Sequence, residues 1–382
     1  MNDKKKEIDM ENKRINLFGV YMPKSAAEAV AKTLYTGYVA EGPRVKEFTQ
    51  MVSQYLHNEH TMMLNNCTMA LQIACHLSGV QPGDEVISTP LTSICTNVPI
   101  AHLKGKPVWA DVDPTTGISD INDVEKLINK RTKAILLLHK DGDVVDLDKY
   151  VDLAKSYNVK LIEDCAHTYG AKYNGKMIGN HGDFCCFSFQ AIKQITTGDG
   201  GCMTVRDEEM FERAKKLKWM GVDHDKRNGN PWRADITELG YKANMNDIAA
   251  SIGIEAQKDI DKVIEKYHHN GELYTKTLKE LNIPGVTLLR RDPLCYSAYW
   301  TYVIMSEKRD ALCAFLEENN IAADQNHPRN DVWTIFKDSR RELPGVDYFG
   351  ARELSLPCGW WVEDEDIFRI CDLIKKFHEK NM

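Results

Sequence analysis

Between residues 84 and 165, short apolar runs alternate with amphipathic segments. "DEVIST" reads as a buried strand after the turn "QPGD". "KPVWADVD" is a second strand, "VEKLINKR" a helix and "KAILLLH" a third strand. "LDKYVDLAKSYN" is again helical, and "VKLIEDC" closes the series as a strand. Strands separated by single helices pair side by side in parallel, and a parallel sheet needs helices over both faces. This pattern predicts an α/β fold.

The flanks fit the same plan. Upstream, "AAEAVAKTLYT" reads as a helix ending at Gly37, and "TMALQIACHLSGV" as one ending at Gly79. Downstream, "GDFCCFSF" and "GCMTVR" are two strands with no helix between them. From residue 245 the pattern changes to a proline-free stretch with helical periodicity, read as one long helix or two. Beyond it, "YWTYVIMS", "RDALCAFLEENNI" and "DEDIFRICDLIKKFHEK" alternate strand and helix once more. The expected division is a large domain, residues 1–250, and a smaller α+β domain, residues 251–382. A chain of 382 residues accommodates both.

Composition removes several function classes. The net charge is −7 and no basic stripe is present, so nucleic acid is not an expected partner. Apolar runs such as "AILLL" are too short to span a bilayer, so no membrane role is expected. The charged opening "MNDKKKEIDMENKR" has no apolar core of a secretory leader, which reads as a cytoplasmic protein. None of the eleven cysteines has CxxC spacing. They read as reduced thiols, with no metal site.

Four positions could carry chemistry. Asp164 closes an apolar strand, where parallel sheets gather ligands. It could cap a turn, or hold a proton on a ligand's ring nitrogen; Glu163 alternates to the other face. Lys193 lies between the apolar "CFSFQAI" and the glycine-rich "TTGDGG". It could be an exposed loop lysine or a desolvated nucleophile. Thr68 stands at the start of a helix as an N-cap type, where free N–H groups hold phosphate. Ser188 could add a hydroxyl there, or simply bond backbone. A phosphate cradle, a ring-nitrogen anion and an amine together are the equipment for pyridoxal 5'-phosphate.

The chain resembles the DegT/DnrJ/EryC1/StrS aminotransferases. The likeness rests on "GYVAEGPRVKEF", "CTMALQ", "GDEVISTP", "IEDCAHTYGAKYNGKMIGNHGDFCCFSF", "AIKQITTGDGG" and "ELGYKANMNDIAASIG". It implies a fold-type I architecture: a mostly parallel seven-stranded sheet in the large domain, with a small C-terminal domain. It also implies a homodimer with shared active sites. By the resemblance, Lys193 is the Schiff-base lysine and Asp164 faces the pyridine nitrogen. His167 lies near the phenolic oxygen. Thr68, the backbone of Met69 and Ser188 cradle the phosphate, and Asn244 reaches the partner's phosphate. Tyr38, His327 and Arg329 are implied sugar-facing residues.

The implied reaction moves the amino group of L-glutamate to a keto carbon, C4 before C3, of a nucleoside-diphosphate-linked keto-6-deoxyhexose, for surface polysaccharide such as O-antigen. A dehydratase or a non-catalytic regulatory member are the alternatives. Relatives that dehydrate carry histidine at the lysine position, and this chain has Lys193. Three departures stand out. Cys67 replaces the glycine expected before Thr68. Ser93 or Ile94 stands where a ring-stacking aromatic is expected. "HKDGDVVD" replaces the usual His-x-x-Gly-x-Pro stretch, which puts Lys140 and Asp141 at a substrate-facing position.

Overall fold

The computed structural model describes residues 13–223 and 235–380; the charged opening through residue 12 lies outside them. Two helices, α1 (Ala26–Leu34) and α2 (Pro43–Leu56), lead to β1 (Thr61–Leu64) and α3 (Cys67–Leu77). The alternating stretch then gives β2 (Glu85–Ser88), α4 (Ile94–His102), β3 (Lys106–Trp109), α5 (Ile121–Leu127), β4 (Thr132–Leu138), α6 (Leu147–Ser156) and β5 (Lys160–Asp164). The short β6 (Lys172–Tyr173) and β7 (Lys176–Met177) precede β8 (Phe184–Ser188) and β9 (Gly201–Val205).

Seven strands form one sheet in the order β1-β9-β8-β5-β4-β2-β3. All run parallel except β9, which is antiparallel to both β1 and β8. The crossovers bury both faces, so β4 and β5 read as continuous apolar runs rather than alternating ones. On β5, Ile162 packs with the α3 side of the sheet, while Leu161 packs with α2 and α6 on the other. Asp164 shares the side of Ile162, and Glu163 that of Leu161.

After α7 (Glu208–Lys218), the proline-free stretch is two helices, α8 (Asp247–Gln257) and α9 (Ile260–Leu281). Asn246 caps the first by accepting the Ala249 N–H at 2.9 Å. Residue 250 lies within α8, whose Ala250 and Ile254 belong to the core beneath the large sheet. Ile260 and Ile264 of α9 join that same core, but Tyr274 and Leu278 join a second one. This second core is built on a three-stranded sheet of β10 (Val286–Leu288), β12 (Tyr302–Ser306) and β13 (Glu353–Leu356). A further short strand, β11 (Cys295–Tyr296), pairs with β6. Helices α10 (Arg309–Glu318) and α12 (Asp364–Lys380) cover the small sheet, and α11 (Pro344–Gly350) precedes β13. Ile15 also enters this core and pairs in parallel with Ile321. Among the described residues, no helix is long and apolar enough to cross a membrane.

One glycine fixes how the sheet meets α3. Gly201 opens β9 between Leu64 and Ser188. A Cβ there would lie 2.6 Å from the Cys67 nitrogen and 2.7 Å from the Asn66 carbonyl carbon. Backbone cannot yield as a side chain can. Gly201→Ala is therefore expected to destabilise the fold by about 1–3 kcal/mol. A lowered midpoint in denaturant, with weaker retention of the cofactor named below, would be the reading.

Candidate active site

The carboxyl ends of β4, β5 and β8 bring Leu138, Asp164 and Ser188 to one edge of the sheet, where α3 begins. A cavity of about 330 Å³ opens there, within the range of small-molecule sites. Asp164 and Lys193 are both buried in its wall.

Asp164 is held by two donors. Thr96 of α4 donates its hydroxyl to Oδ2 at 2.8 Å, and the Ala166 N–H donates to Oδ1 at 3.1 Å. The Thr92 hydroxyl lies 2.7 Å from that of Thr96. Burial pushes the Asp164 carboxyl above its usual range, while Thr96, Ala166 and the nearby Lys193 pull it back. Glu163, one residue earlier, faces away from the cavity. It accepts from His139 Nε2 at 2.7 Å, from the Cys185 thiol at 3.1 Å and from the Gly182 N–H. Burial opposes its charge, yet His139 holds this carboxyl below its ordinary value.

Lys193 sits in the connection from β8 to the reversed strand β9. Burial lowers its amine to about 8, against the upward pull of Asp164. A lysine with this value is neutral above about pH 8. Capture of an aldehyde by the amine is therefore expected to quicken as pH rises through that value. A rate of visible-band formation that is flat from pH 7 to pH 9 would contradict it.

The start of α3 supplies the anion end. Asn66, not Thr68, is the N-cap: its side chain accepts the Met69 N–H at 2.8 Å. Thr68 stands inside the first turn and lines the cavity with Asn66 and Cys67. First-turn N–H groups have no partner within the helix, and the dipole adds positive potential. The Ser188 hydroxyl faces the same space and accepts the Gln190 N–H at 3.3 Å.

Two imidazoles form the far wall. His167 Nδ1 accepts the Asp141 N–H at 3.2 Å, which places the proton of the neutral ring on Nε2. Burial, then Lys193, hold His167 well below its usual value. His327 is pushed down to about 4 by burial and then by Lys140 and Lys193. Its Nε2 is buried with no partner among the described residues.

Lys140 and Asp141 do not line the cavity. Lys140 pairs with Asp141 at 3.2 Å and with Glu353 of β13 at 3.0 Å. Burial opposes its charge, but these carboxylates raise it. Thr301 and Asn326 donate to Asp141 Oδ1 at 3.2 and 3.0 Å, and Gln325 donates to Glu353 at 2.9 Å. This network ties the end of β4 to the second core.

The other sequence-predicted positions lie elsewhere. Met69, Asn244, Tyr38 and Arg329 do not line the cavity of their own chain. The Asn244 side chain accepts from Lys242 at 2.7 Å. Tyr38 is exposed on the loop after α1. Arg329 is engaged by Asp331 through two bonds of 2.7 Å and by Asp347. Where an aromatic was sought, Ser93 and Cys95 line the cavity, while Ile94 packs with Leu91 and Trp109. Sequence reasoning missed Asn66, Thr96 and Trp300. The stronger capping preference of asparagine was the available signal for Asn66; nothing local pointed to Trp300.

An amine, a facing carboxylate and a helix start open to phosphate, gathered in one cavity of a doubly covered sheet, fit pyridoxal 5'-phosphate group by group. Fold and cavity together define a pyridoxal-phosphate-dependent aminotransferase. The chain belongs to the DegT/DnrJ/EryC1/StrS aminotransferase family, whose model it matches over residues 21–375. It is 30% identical to the UDP-4-amino-4-deoxy-L-arabinose–oxoglutarate aminotransferase of Shewanella sediminis, over 96% of this chain and 99% of that one. It superposes on the sugar aminotransferase CalS13 of Micromonospora echinospora with a TM-score of 0.90 at 31% identity, covering 95% and 99% of the two chains. The PLP form of Spr1654 from Streptococcus pneumoniae gives a TM-score of 0.88 at 26% identity, covering 97% and 100%.

Proposed function

We propose that this enzyme transfers the amino group of L-glutamate to the C4 keto carbon of a nucleoside-diphosphate-linked keto-6-deoxyhexose. The observation that carries the reading is the buried amine of Lys193 sharing one cavity with the buried carboxylate of Asp164. The oxoglutarate aminotransferase named above, which acts on a 4-amino sugar nucleotide, supports both the donor and the position.

When bound, the cofactor would supply an electron-accepting ring. The residues divide the remaining work. Lys193 Nζ would be the point of attachment and, as a free amine, the base that moves the proton. Asp164 holds the proton on the ring nitrogen. The Nε2–H of His167 is the donor for the phenolic oxygen. Thr68, Ser188 and the first-turn N–H groups of α3 other than that of Met69, which Asn66 takes, would hold the phosphate.

The working unit in this reading is a homodimer. Asn244 lies outside its own chain's cavity and would exchange its bond with Lys242 for the phosphate of a second copy. Tyr35, Tyr38 and Leu239 present apolar surface that a second copy would cover; Tyr35 and Leu239 are 91% and 86% exposed.

The test is purified protein with pyridoxal phosphate, L-glutamate and dTDP-, GDP- or UDP-linked 4-keto-6-deoxyhexoses. One equivalent of 2-oxoglutarate should form per amino sugar, with one nucleotide preferred. Dehydration without amination, or no turnover of any of the three by cofactor-loaded protein, would refute it.

A further inference from the structure

The catalytic reading leaves one buried aromatic without a task. Trp300 lies just before β12, far from Lys193 in sequence, and is 1% exposed. Its ring centroid is 3.8 Å from Lys193 Nζ. Its indole N–H donates to the carbonyl of Ile192, the residue before that lysine, at 2.9 Å. His167 stacks on it at 3.8 Å with the planes 14° apart, and Phe18 stacks at 4.9 Å. One ring thus touches the lysine's charge, the carbonyl of the residue before it and the His167 imidazole.

We propose that Trp300 is the positioning residue for Lys193: its face carries the free ammonium and its N–H tethers the Ile192 carbonyl. The inference deepens the reading of Lys193 as the cofactor's amine and rests on it.

The physical argument has two parts. An aromatic face attracts a cation and gives nothing comparable to a neutral amine. It therefore favours the protonated form and partly offsets the burial that lowers Lys193. The other groups acting on the amine are Asp164, Asp141, Cys67 and Cys95, with His167 and His327 facing it as neutral rings. The second part is geometric. A lysine has four rotatable bonds, and fixing the carbonyl beside it narrows the positions its tip can reach. The ring itself is placed by backbone. Gly142 follows the left-handed Asp141, and a Cβ on it would lie 2.5 Å from the Tyr299 nitrogen and 2.8 Å from that of Trp300. The turn after β4 thus lets the Trp300 backbone come close enough for its ring to reach the lysine.

The experiment uses full-length protein stripped of cofactor, reloaded with pyridoxal 5'-phosphate. The rate of visible-band formation is followed against pH for wild type, Trp300→Leu and Trp300→Phe. Capture needs the neutral amine. Losing the face should move the midpoint of the Leu variant down by about one pH unit. Trp300→Phe keeps a weaker face and loses the N–H. Its midpoint should fall less, while its high-pH plateau drops about threefold to tenfold. A ring with only a packing role would lower the melting temperature and leave both midpoints in place. Unchanged midpoints in folded variants overturn the proposal. Should the Leu variant not fold, a Phe variant with wild-type midpoint and plateau overturns it alone. Wild type that forms no visible band refutes the reading of Lys193 itself, and this inference with it.

Discussion

Lys193→Ala is expected to abolish turnover while leaving the fold intact. The side chain lies against the cavity rather than in the apolar core, so its removal opens space without breaking a packed layer. Two functions are lost together: the point of attachment and the proton carrier. Proton transfer by a placed side chain is worth about 10²–10⁴-fold, so amination should fall at least about 10³-fold. The visible absorbance of the attached cofactor should vanish, and borohydride should fix none to the protein. Phosphate-driven binding through α3 should persist, measurable by calorimetry. A variant that retained more than a tenth of the wild-type rate would exclude Lys193 from both roles.

Asp164→Asn is the second large effect. The replacement keeps the size of the side chain and an oxygen for the Thr96 hydroxyl or the Ala166 N–H, and removes the charge together with one of the two acceptors. A carboxylate poised where positive charge must persist is worth about 10²–10³-fold in kcat, by comparison with other fixed electrostatic groups. KM for the sugar should change little, because in the proposed reading Asp164 faces the cofactor rather than the substrate. The wild-type carboxyl is already pushed up by burial and held down by Thr96, Ala166 and Lys193. Thr96→Val removes one of these restraints. It should raise the acidic limb of the kcat profile, since the neutral acid then persists to higher pH. A limb that stays in place would show that Thr96 does not act on the charge.

What could be read from the sequence follows a physical line. Asp164, Ser188 and Thr68 stand at ends of elements, and element ends are set by local pattern. Lys193 was reachable because β8 and β9 bracket it. The reading placed the N-cap at Thr68 rather than Asn66, a two-residue error that propensity alone permits. Trp300 and the Lys140–Glu353 pair come from segments that meet only after the chain closes, and no local spacing encodes such meetings. Lys140 drew attention as an unusual loop residue, but its partner is a strand of the second core. Arg329 is an implied sugar-facing residue in sequence, but Asp331 and, across the fold, Asp347 engage it.

The adjacent carboxylates at the end of β5 make strand alignment self-checking. Sliding that strand by one residue would carry Glu163 into the cavity and turn Asp164 into the apolar layer beneath. The slipped aspartate is one methylene too short to follow Glu163 to His139, Cys185 and the Gly182 N–H, so a buried charge would lose its partners. Removing the partner of a buried charge typically costs about 3–5 kcal/mol. The His139–Glu163 pair, outside the cavity lining, thus acts as a proofreader of assembly. It makes the misthreaded sheet unstable and leaves Asp164 only one place to stand.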